Sequence, residues 1–221
     1  MTEPTWVPDP QSAERSWIAR FRRSAQIASG RSFLDTPQLH EWTVGDPGAF
    51  WSLVWQEFDV VGDPGAPAFE PVTLPAARFF PNARLNLAEN LLARWNDSDD
   101  VAVVALGEHN GVIAVSEQLT GRELCRRVAA FAAHLRAYGI VPGDRLGIIL
   151  PVGPDALVCT LGALAVGAVV SSVSPEFGAP AIIDRLGQLQ PRVLVVAEQY
   201  RWNGKSFHRS DNVAQVIRAL P

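Results

Sequence analysis

Two short segments of this chain carry residue types suited to ligand chemistry. The first, Asn203-Gly204-Lys205-Ser206, has the Gly-Lys-Ser ending of a phosphate-binding P-loop, in which backbone N–H groups cradle phosphates and the lysine reaches them. The spacing refuses that reading, because the opening glycine of G-x-x-x-x-G-K-[ST] would fall at position 199, which is Gln199. No G-x-G-x-x-G dinucleotide fingerprint follows any expected strand. For Trp202-Asn203-Gly204-Lys205 two readings stay open: a plain Asn-Gly turn, or a loop that contacts an anion or another ligand.

The second segment is Ser171-Ser172-Val173-Ser174-Pro175-Glu176-Phe177-Gly178. It follows the carboxyl end of an expected strand, where ligands gather in open parallel sheets. The hydroxyls of Ser171, Ser172 and Ser174 could donate to a ligand, and Gly178 would allow close backbone approach. A Ser/Pro turn leading into a helix is also open.

Elsewhere the chemistry is thin. His40, His109, His134 and His208 fall in four separate contexts with no identifiable partner, so no catalytic residue is assigned. His134 reads as a half-buried structural residue of a helix, and His109 as part of a hairpin turn. Cys125 and Cys159 sit in apolar stretches with no His or Cys at metal spacing, which makes them small buried hydrophobes and assigns no metal site. A reducing, cytoplasmic setting fits. Asp99-Asp100 reads as solvated linker charge.

The elements that must position these segments change character along the chain. Residues 1–96 hold six of the seven tryptophans and many prolines, and read as helices. One helix is expected from Ser12 to Ala28, with Trp17, Ile18, Phe21 and Ala25 on one face. Asp46-Pro47 opens another, whose Phe50, Trp51, Val54, Trp55 and Phe58 form an aromatic core stripe. Val60 to Pro81 is a Gly/Pro/Ala-rich connection. Asn86 with Glu89 three residues on starts a third helix, Leu87 to Trp95. The run Asn96-Asp97-Ser98-Asp99-Asp100 then marks a domain boundary, giving a helical cap at 1–96 and an α/β domain at 97–221.

Past that boundary strands and helices alternate. Val101–Leu106 and Val112–Val115 form a hairpin, and Thr120 with Glu123 caps a helix lined by Leu124, Val128, Phe131 and Leu135 and closed by Gly139. Pro142-Gly143-Asp144 turns into a strand at Leu146–Leu150. A helix from about Asp155, a strand at Ala168–Val173, a helix at Pro180–Leu189 and a strand at Val193–Ala197 follow. Such alternation predicts an α/β fold: a doubly wound, mostly parallel sheet with helices on both faces, preceded by the helical amino-terminal cap. Asp144 and Arg145 precede the amino end of a strand, so they are expected to orient a turn and not to touch substrate.

Bulk properties narrow the function classes. With 48% hydrophobic residues in 221, the chain can bury an ordinary core. A net charge of −4 leaves no basic footprint for nucleic acid. The amino terminus lacks the basic and apolar regions of a secretory signal. Ala156 to Pro175 is uncharged, but its Gly162, Gly167, Ser171, Ser172 and Ser174 point to a buried helix and strand, so no membrane partner is expected.

Several strings, in order and across most of the chain, resemble acetoacetyl-CoA synthetases of the acyl-adenylate-forming family. They are Glu41-Trp42-Thr43-Val44 with Ala49-Phe50-Trp51 and Val54-Trp55, then Phe80-Pro81-Asn82-Ala83-Arg84-Leu85-Asn86-Leu87-Ala88-Glu89-Asn90-Leu91-Leu92. Gly143-Asp144-Arg145-Leu146 to Leu150-Pro151, Ser174-Pro175-Glu176-Phe177-Gly178 and Tyr200 to Lys205 continue the match. Glu176 stands where the family more often has Asp, and Leu87 where it more often has Tyr.

The resemblance implies an acid–thiol ligase using acetoacetate, ATP, CoA and Mg2+, which forms an acyl-adenylate and then a thioester. It implies that Ser174, Gly178, Trp202, Asn203, Gly204 and Lys205 lie near a CoA pocket. The family's ATP loop and catalytic lysine lie downstream of the matched strings, so the chain is expected to be an amino-terminal fragment, inactive alone. Acetyl- or propionyl-CoA synthetase fragments, and a non-catalytic binding or interaction module, are the competing readings.

Overall fold

A computed structural model describes residues 5–72, 75–109 and 112–220. The chain divides into two compact units, residues 1–85 and 86–221.

The first unit is built by capping. Asp9 accepts from the N–H groups of Gln11 and Ser12 and opens α1 (Pro10–Arg15). Ser16 ends it and caps α2 (Trp17–Ser29) through its hydroxyl on the Ala19 N–H. The single helix expected from Ser12 to Ala28 is thus two, because an extended Ser16 at ψ 155° breaks the helix. Helix α3 (Thr36–Gly45), which sequence reasoning missed, starts at Asp35 with a proline in its first turn. The same Asp and Pro signal starts α4 (Pro47–Glu57) at Asp46. Ala25, Phe33, Leu39, Trp42 and Leu53 form the unit's core, with Phe21 and Phe50 packed against it. Phe50 meets Trp42 edge-on at 6.2 Å and Phe21 at 5.9 Å, geometries that favour aromatic pairs. The two-residue strands β1 (Phe69–Glu70) and β2 (Arg78–Phe79) pair within the long connection.

The second unit opens with α5 (Leu87–Leu92), capped by the Asn86 carboxamide oxygen on the Glu89 N–H, and a 3-10 turn at Ala93–Trp95. Strands β3 (Val101–His109) and β4 (Val112–Thr120) form the expected antiparallel hairpin. It is longer than predicted: Glu108 and His109 continue the ladder opposite Ile113 and Val112, and are not turn residues. Thr120 caps α6 (Gly121–Ala137) as its sequence predicts. Ala88, Leu119, Leu124, Val128 and Leu161 then share one core.

Strand β5 (Arg145–Ile149) leads through α7 (Pro154–Ala165) to β6 (Val169–Ser172), and β6 leads through α8 (Ala179–Leu189) to β7 (Val193–Val196). The order is β6-β5-β7, all parallel. The chain leaves β5 to one side and returns to the other, so right-handed crossovers put α7 and α8 on opposite faces. Side-chain alternation along β5 matches. Leu146 packs with Leu135, Ala163 and Val166 on the α6/α7 face, while Ile149 packs with Ile182, Leu186 and Val216 on the α8 face. Each such fully buried Leu or Ile contributes about 1.5–3 kcal/mol. Gly162 lets α7 approach α6, since a Cβ there would stand 2.7 Å from Phe131 and 3.2 Å from the Val128 carbonyl oxygen.

The strand pair β8 (Gln199–Trp202) and β9 (Lys205–His208) and the helix α9 (Ser210–Ala219) complete the unit. No helix among the described residues is long and apolar enough to cross a membrane. The uncharged run from Ala156 to Pro175 divides into most of α7, then β6 and the turn after it.

The amino ends of the three strands are tied together. Asp144 accepts from the Val141 N–H at 2.8 Å and from Arg192 at 2.7 Å, and Arg192 also donates to the Gly139 carbonyl. Arg145 donates to the Gln190 carbonyl. The Val141 N–H first, and the Arg192 and Arg145 charges after it, hold the Asp144 carboxyl below its ordinary value near 3.8. A carboxyl so lowered binds its proton less readily folded than unfolded, so it stabilises the fold above that ordinary value. Asp144→Asn is expected to lower the denaturation midpoint at pH 7. The gap between variant and parent should close as pH falls below about 3.8; urea titrations across pH 2.5–7 measure it, and a gap that persists in acid would contradict this role.

Candidate functional site at the carboxyl edge of the sheet

At the opposite end of the sheet β6 runs out into Val173-Ser174-Pro175-Glu176-Phe177-Gly178. Val173 and Pro175 are buried, Ser174 is half-buried, and Glu176, Phe177 and Gly178 are exposed. The Phe177 N–H donates to the Ser174 carbonyl, closing a turn, and the Ser174 hydroxyl lies 3.1 Å from a Glu176 carboxylate oxygen. The Arg185 guanidinium covers the Phe177 ring at 4.6 Å. From the start of α9, Arg209 and Asn212 both donate to the Phe177 carbonyl. Parallel sheets bind ligands at such carboxyl edges.

Gly178 caps α8 with φ −66° and ψ 155°, and a Cβ there would meet only Pro180 at 3.7 Å. The fold itself therefore does not require glycine at this position. Its exposure leaves room for a molecule lying against the backbone.

Trp202, Asn203, Gly204 and Lys205 form the tip of the β8–β9 hairpin, with Trp202 opposite Lys205. Asn203 at φ 49° and Gly204 at φ 70° give the two positive dihedrals of a type I′ turn. A P-loop runs from strand to helix; here the Gly-Lys-Ser sequence runs back into an antiparallel strand, so the P-loop reading fails on geometry as well as on spacing. Sequence reasoning missed the flanking strands, whose Tyr200 and Phe207 stack at 5.1 Å. All four tip residues are exposed, and a Cβ on Gly204 would stand 3.8 Å from the Glu108 carboxylate. Lys205 is the only lysine of the chain.

The two segments are linked at the base of the hairpin and separate at its tip. Arg209, which touches Phe177, follows β9 directly, and its N–H donates to the Glu198 carbonyl before β8. The tip stands four residues farther along each strand, about 13 Å away at the usual strand rise. Ser174 and Gly178 therefore form one locus, and Trp202 to Lys205 a second.

Other candidates stay outside this edge. His40, His134 and His208 are exposed on different elements, and His134, expected to be half-buried, lies 5.9 Å from the Tyr138 ring. Burial raises the Cys159 and Cys125 thiols above their ordinary value, which keeps them protonated and unreactive. Among the described residues no group of three His, Cys, Asp or Glu side chains could hold a metal ion.

A family model described as AMP-binding enzyme matches residues 94–220, which includes both loci. The chain belongs to the AMP-binding enzyme family. It is 39% identical over 218 residues to an acetoacetyl-coenzyme A synthetase of Rhizobium meliloti, covering 98% of this chain and 33% of the relative. It is 34% identical to an acetoacetyl-CoA synthetase of Danio rerio, covering 98% and 32%. A solved structure of acetoacetyl-CoA synthetase from Streptomyces lividans superposes with a TM-score of 0.85 at 36% identity, over 100% of this chain and 34% of that one. The chain spans about a third of the length of the relatives it matches. The resemblance and the α/β class read from the sequence are both borne out.

The two glycines of the site separate structural from ligand demands. Gly204→Ala is expected to destabilise by about 1–2 kcal/mol, because a Cβ is disfavoured at positive φ. Gly178→Ala is expected to leave the unfolding free energy within about 0.5 kcal/mol of the parent. Thermal and urea unfolding of both variants test the contrast, and a large loss for Gly178→Ala would mean that the fold, not a ligand, needs the glycine.

Proposed function

We propose that this chain is the amino-terminal part of an acetoacetate–CoA ligase. The whole polypeptide activates acetoacetate with ATP to an acyl-adenylate and pyrophosphate, and the CoA thiol then displaces AMP to give acetoacetyl-CoA. The observation that carries this reading is the agreement of essentially the entire chain with acetoacetyl-CoA synthetases in both sequence and backbone.

Within that reaction the carboxyl edge of the sheet serves CoA. Lys205 is a mobile point charge suited to phosphates, and the exposed Trp202 offers a flat face to a purine ring. Ser174 supplies a hydroxyl, and Gly178 an open stretch of backbone. The domain plan that fits is a helical cap followed by the first part of the adenylate-forming domain, with the break between the compact units at 85/86 and not at the 96/97 expected from the sequence. Mg2+ would enter with ATP, whose charge it neutralises. A cytoplasmic location fits a ligase that consumes ATP and CoA.

Pyrophosphate release and CoA titration test the reading. The 221-residue chain alone is expected to release no pyrophosphate from acetoacetate, ATP and Mg2+. A polypeptide that continues it to the length of its relatives should release pyrophosphate and form acetoacetyl-CoA, with acetoacetate preferred over acetate and propionate. Lys205→Ala in that polypeptide should raise KM for CoA by roughly tenfold while the adenylation half-reaction stays within about twofold. Preference for acetate or propionate would reassign the acid, and acetoacetate-dependent release by the short chain alone, free of contaminating synthetase, would refute the division of labour.

A further inference from the structure

The turn at the carboxyl end of β6 does not hold itself. Its internal bonds are the 3.3 Å contact from the Phe177 N–H to the Ser174 carbonyl and the short side-chain link from Ser174 to Glu176. Besides the burial of Val173 and Pro175 and the start of α8 at Gly178, the polar contacts that hold it come from elsewhere in the chain and converge on one residue. Phe177 has its ring beneath the Arg185 guanidinium of α8, and its carbonyl accepts from both Arg209 and Asn212.

Arg209 is placed to act as a junction. Its backbone N–H donates to the Glu198 carbonyl at 2.7 Å, where the chain leaves β7 for the hairpin. Its carbonyl accepts from the Val213 N–H at 2.8 Å, starting α9. Its side chain makes no helix cap and instead reaches across 32 residues of sequence to Phe177. Asn212, one turn into the helix, spends its amide N–H on the same carbonyl at 3.1 Å. The Asn212 carboxamide oxygen is buried without a hydrogen-bond partner among the described residues. A buried orphan acceptor is costly, and it is tolerated here beside the bond its own amide makes to Phe177. Val216, fully buried against Ile182 and Leu186, anchors the helix that carries both donors.

We propose that Arg209 and Asn212 are positioning residues: from the first turn of α9 they set the conformation of the Ser174–Gly178 turn and thereby of the CoA-facing edge. This rests on the assignment of that edge under the proposed function. A charge-assisted bond and a neutral bond on one carbonyl oxygen use both of its lone pairs, which fixes the peptide plane that leads into Gly178 and α8. Neither residue is asked to touch the ligand.

Amide hydrogen exchange on the full chain, read by mass spectrometry, tests the holding without any ligand. Arg209→Gln and Asn212→Ala are expected to speed exchange at the Phe177 amide, which the turn bonds to the Ser174 carbonyl, by roughly tenfold or more, with β5 amides unchanged. Arg209→Lys, which keeps the charge but loses the planar fork, should restore part of the protection. Titration with CoA under the same conditions should show at least about fivefold weaker binding for Arg209→Gln and Asn212→Ala. Unchanged exchange at Phe177, or faster exchange throughout β5 as well, would overturn the proposal, the latter by making both residues merely structural. Faster local exchange with undiminished CoA binding, where Lys205→Ala does weaken it, would overturn the link to the site. If the parent chain and its longer form both fail to bind CoA, the assignment of the edge fails, while the exchange result still decides whether the turn is set from α9.

Discussion

A central parallel strand must satisfy its neighbours on four sides at once. Strand β5 pairs with β6 on one edge and β7 on the other, and its side chains enter a different core on each face. Parallel pairing cannot be closed by a tight turn, so each connection has to carry a helix long enough to return the chain. Once Leu146 and Ile149 point to opposite faces, the two helices must cover opposite faces as well. Most of the second unit follows from that one requirement. The small residue Gly147 marks where it is tightest, since a Cβ there would lie 2.6 Å from Leu194 and 3.1 Å from Leu186.

The two ends of this sheet are built for different work. At the amino ends, short connections carry a set of bonds among Asp144, Arg145, Arg192 and three backbone carbonyl or amide groups. At the carboxyl ends the polar groups are more open: Glu176 is exposed and Gly178 has space above it, and at the separate hairpin tip Lys205 makes no ion pair among the described residues. Polar groups left available at one end and spent at the other give the molecule a direction. The proposed ligand edge is the available end.

Where the residue pattern was periodic or capped, the fold was legible. Thr120 with Glu123, Asn86 with Glu89, and Asp46-Pro47 each start the helix they predict, because a side-chain oxygen near free N–H groups is a local signal that needs no tertiary context. Helix α3 carried the same kind of signal at Asp35, but its apolar residues are not spaced along one clear face, and the periodicity hid it. The break at Ser16 was missed although the apolar face, Trp17 to Ala25, lies wholly after it and Ser16 is a cap residue type. The candidate site was legible as two strings and not as a geometry. Asn203-Gly204 announces a turn, but the bond from Arg209 to Phe177 joins residues 32 apart, and no local pattern encodes such a contact.

The hairpin tip has a practical side that comes from composition. Eighteen of the nineteen basic side chains are arginine, which leaves Lys205 as the one side-chain amine, and it is exposed. An amine-directed fluorophore applied at a pH high enough to free the lysine amine has only two sites on this chain, Lys205 and the α-amino group, and prior blocking of the more acidic α-amino group near neutral pH reduces them to one. The molecule thus comes with a built-in attachment point on its proposed ligand-facing edge. Trp202, opposite it in register, would serve as a natural quencher or energy donor for the attached dye.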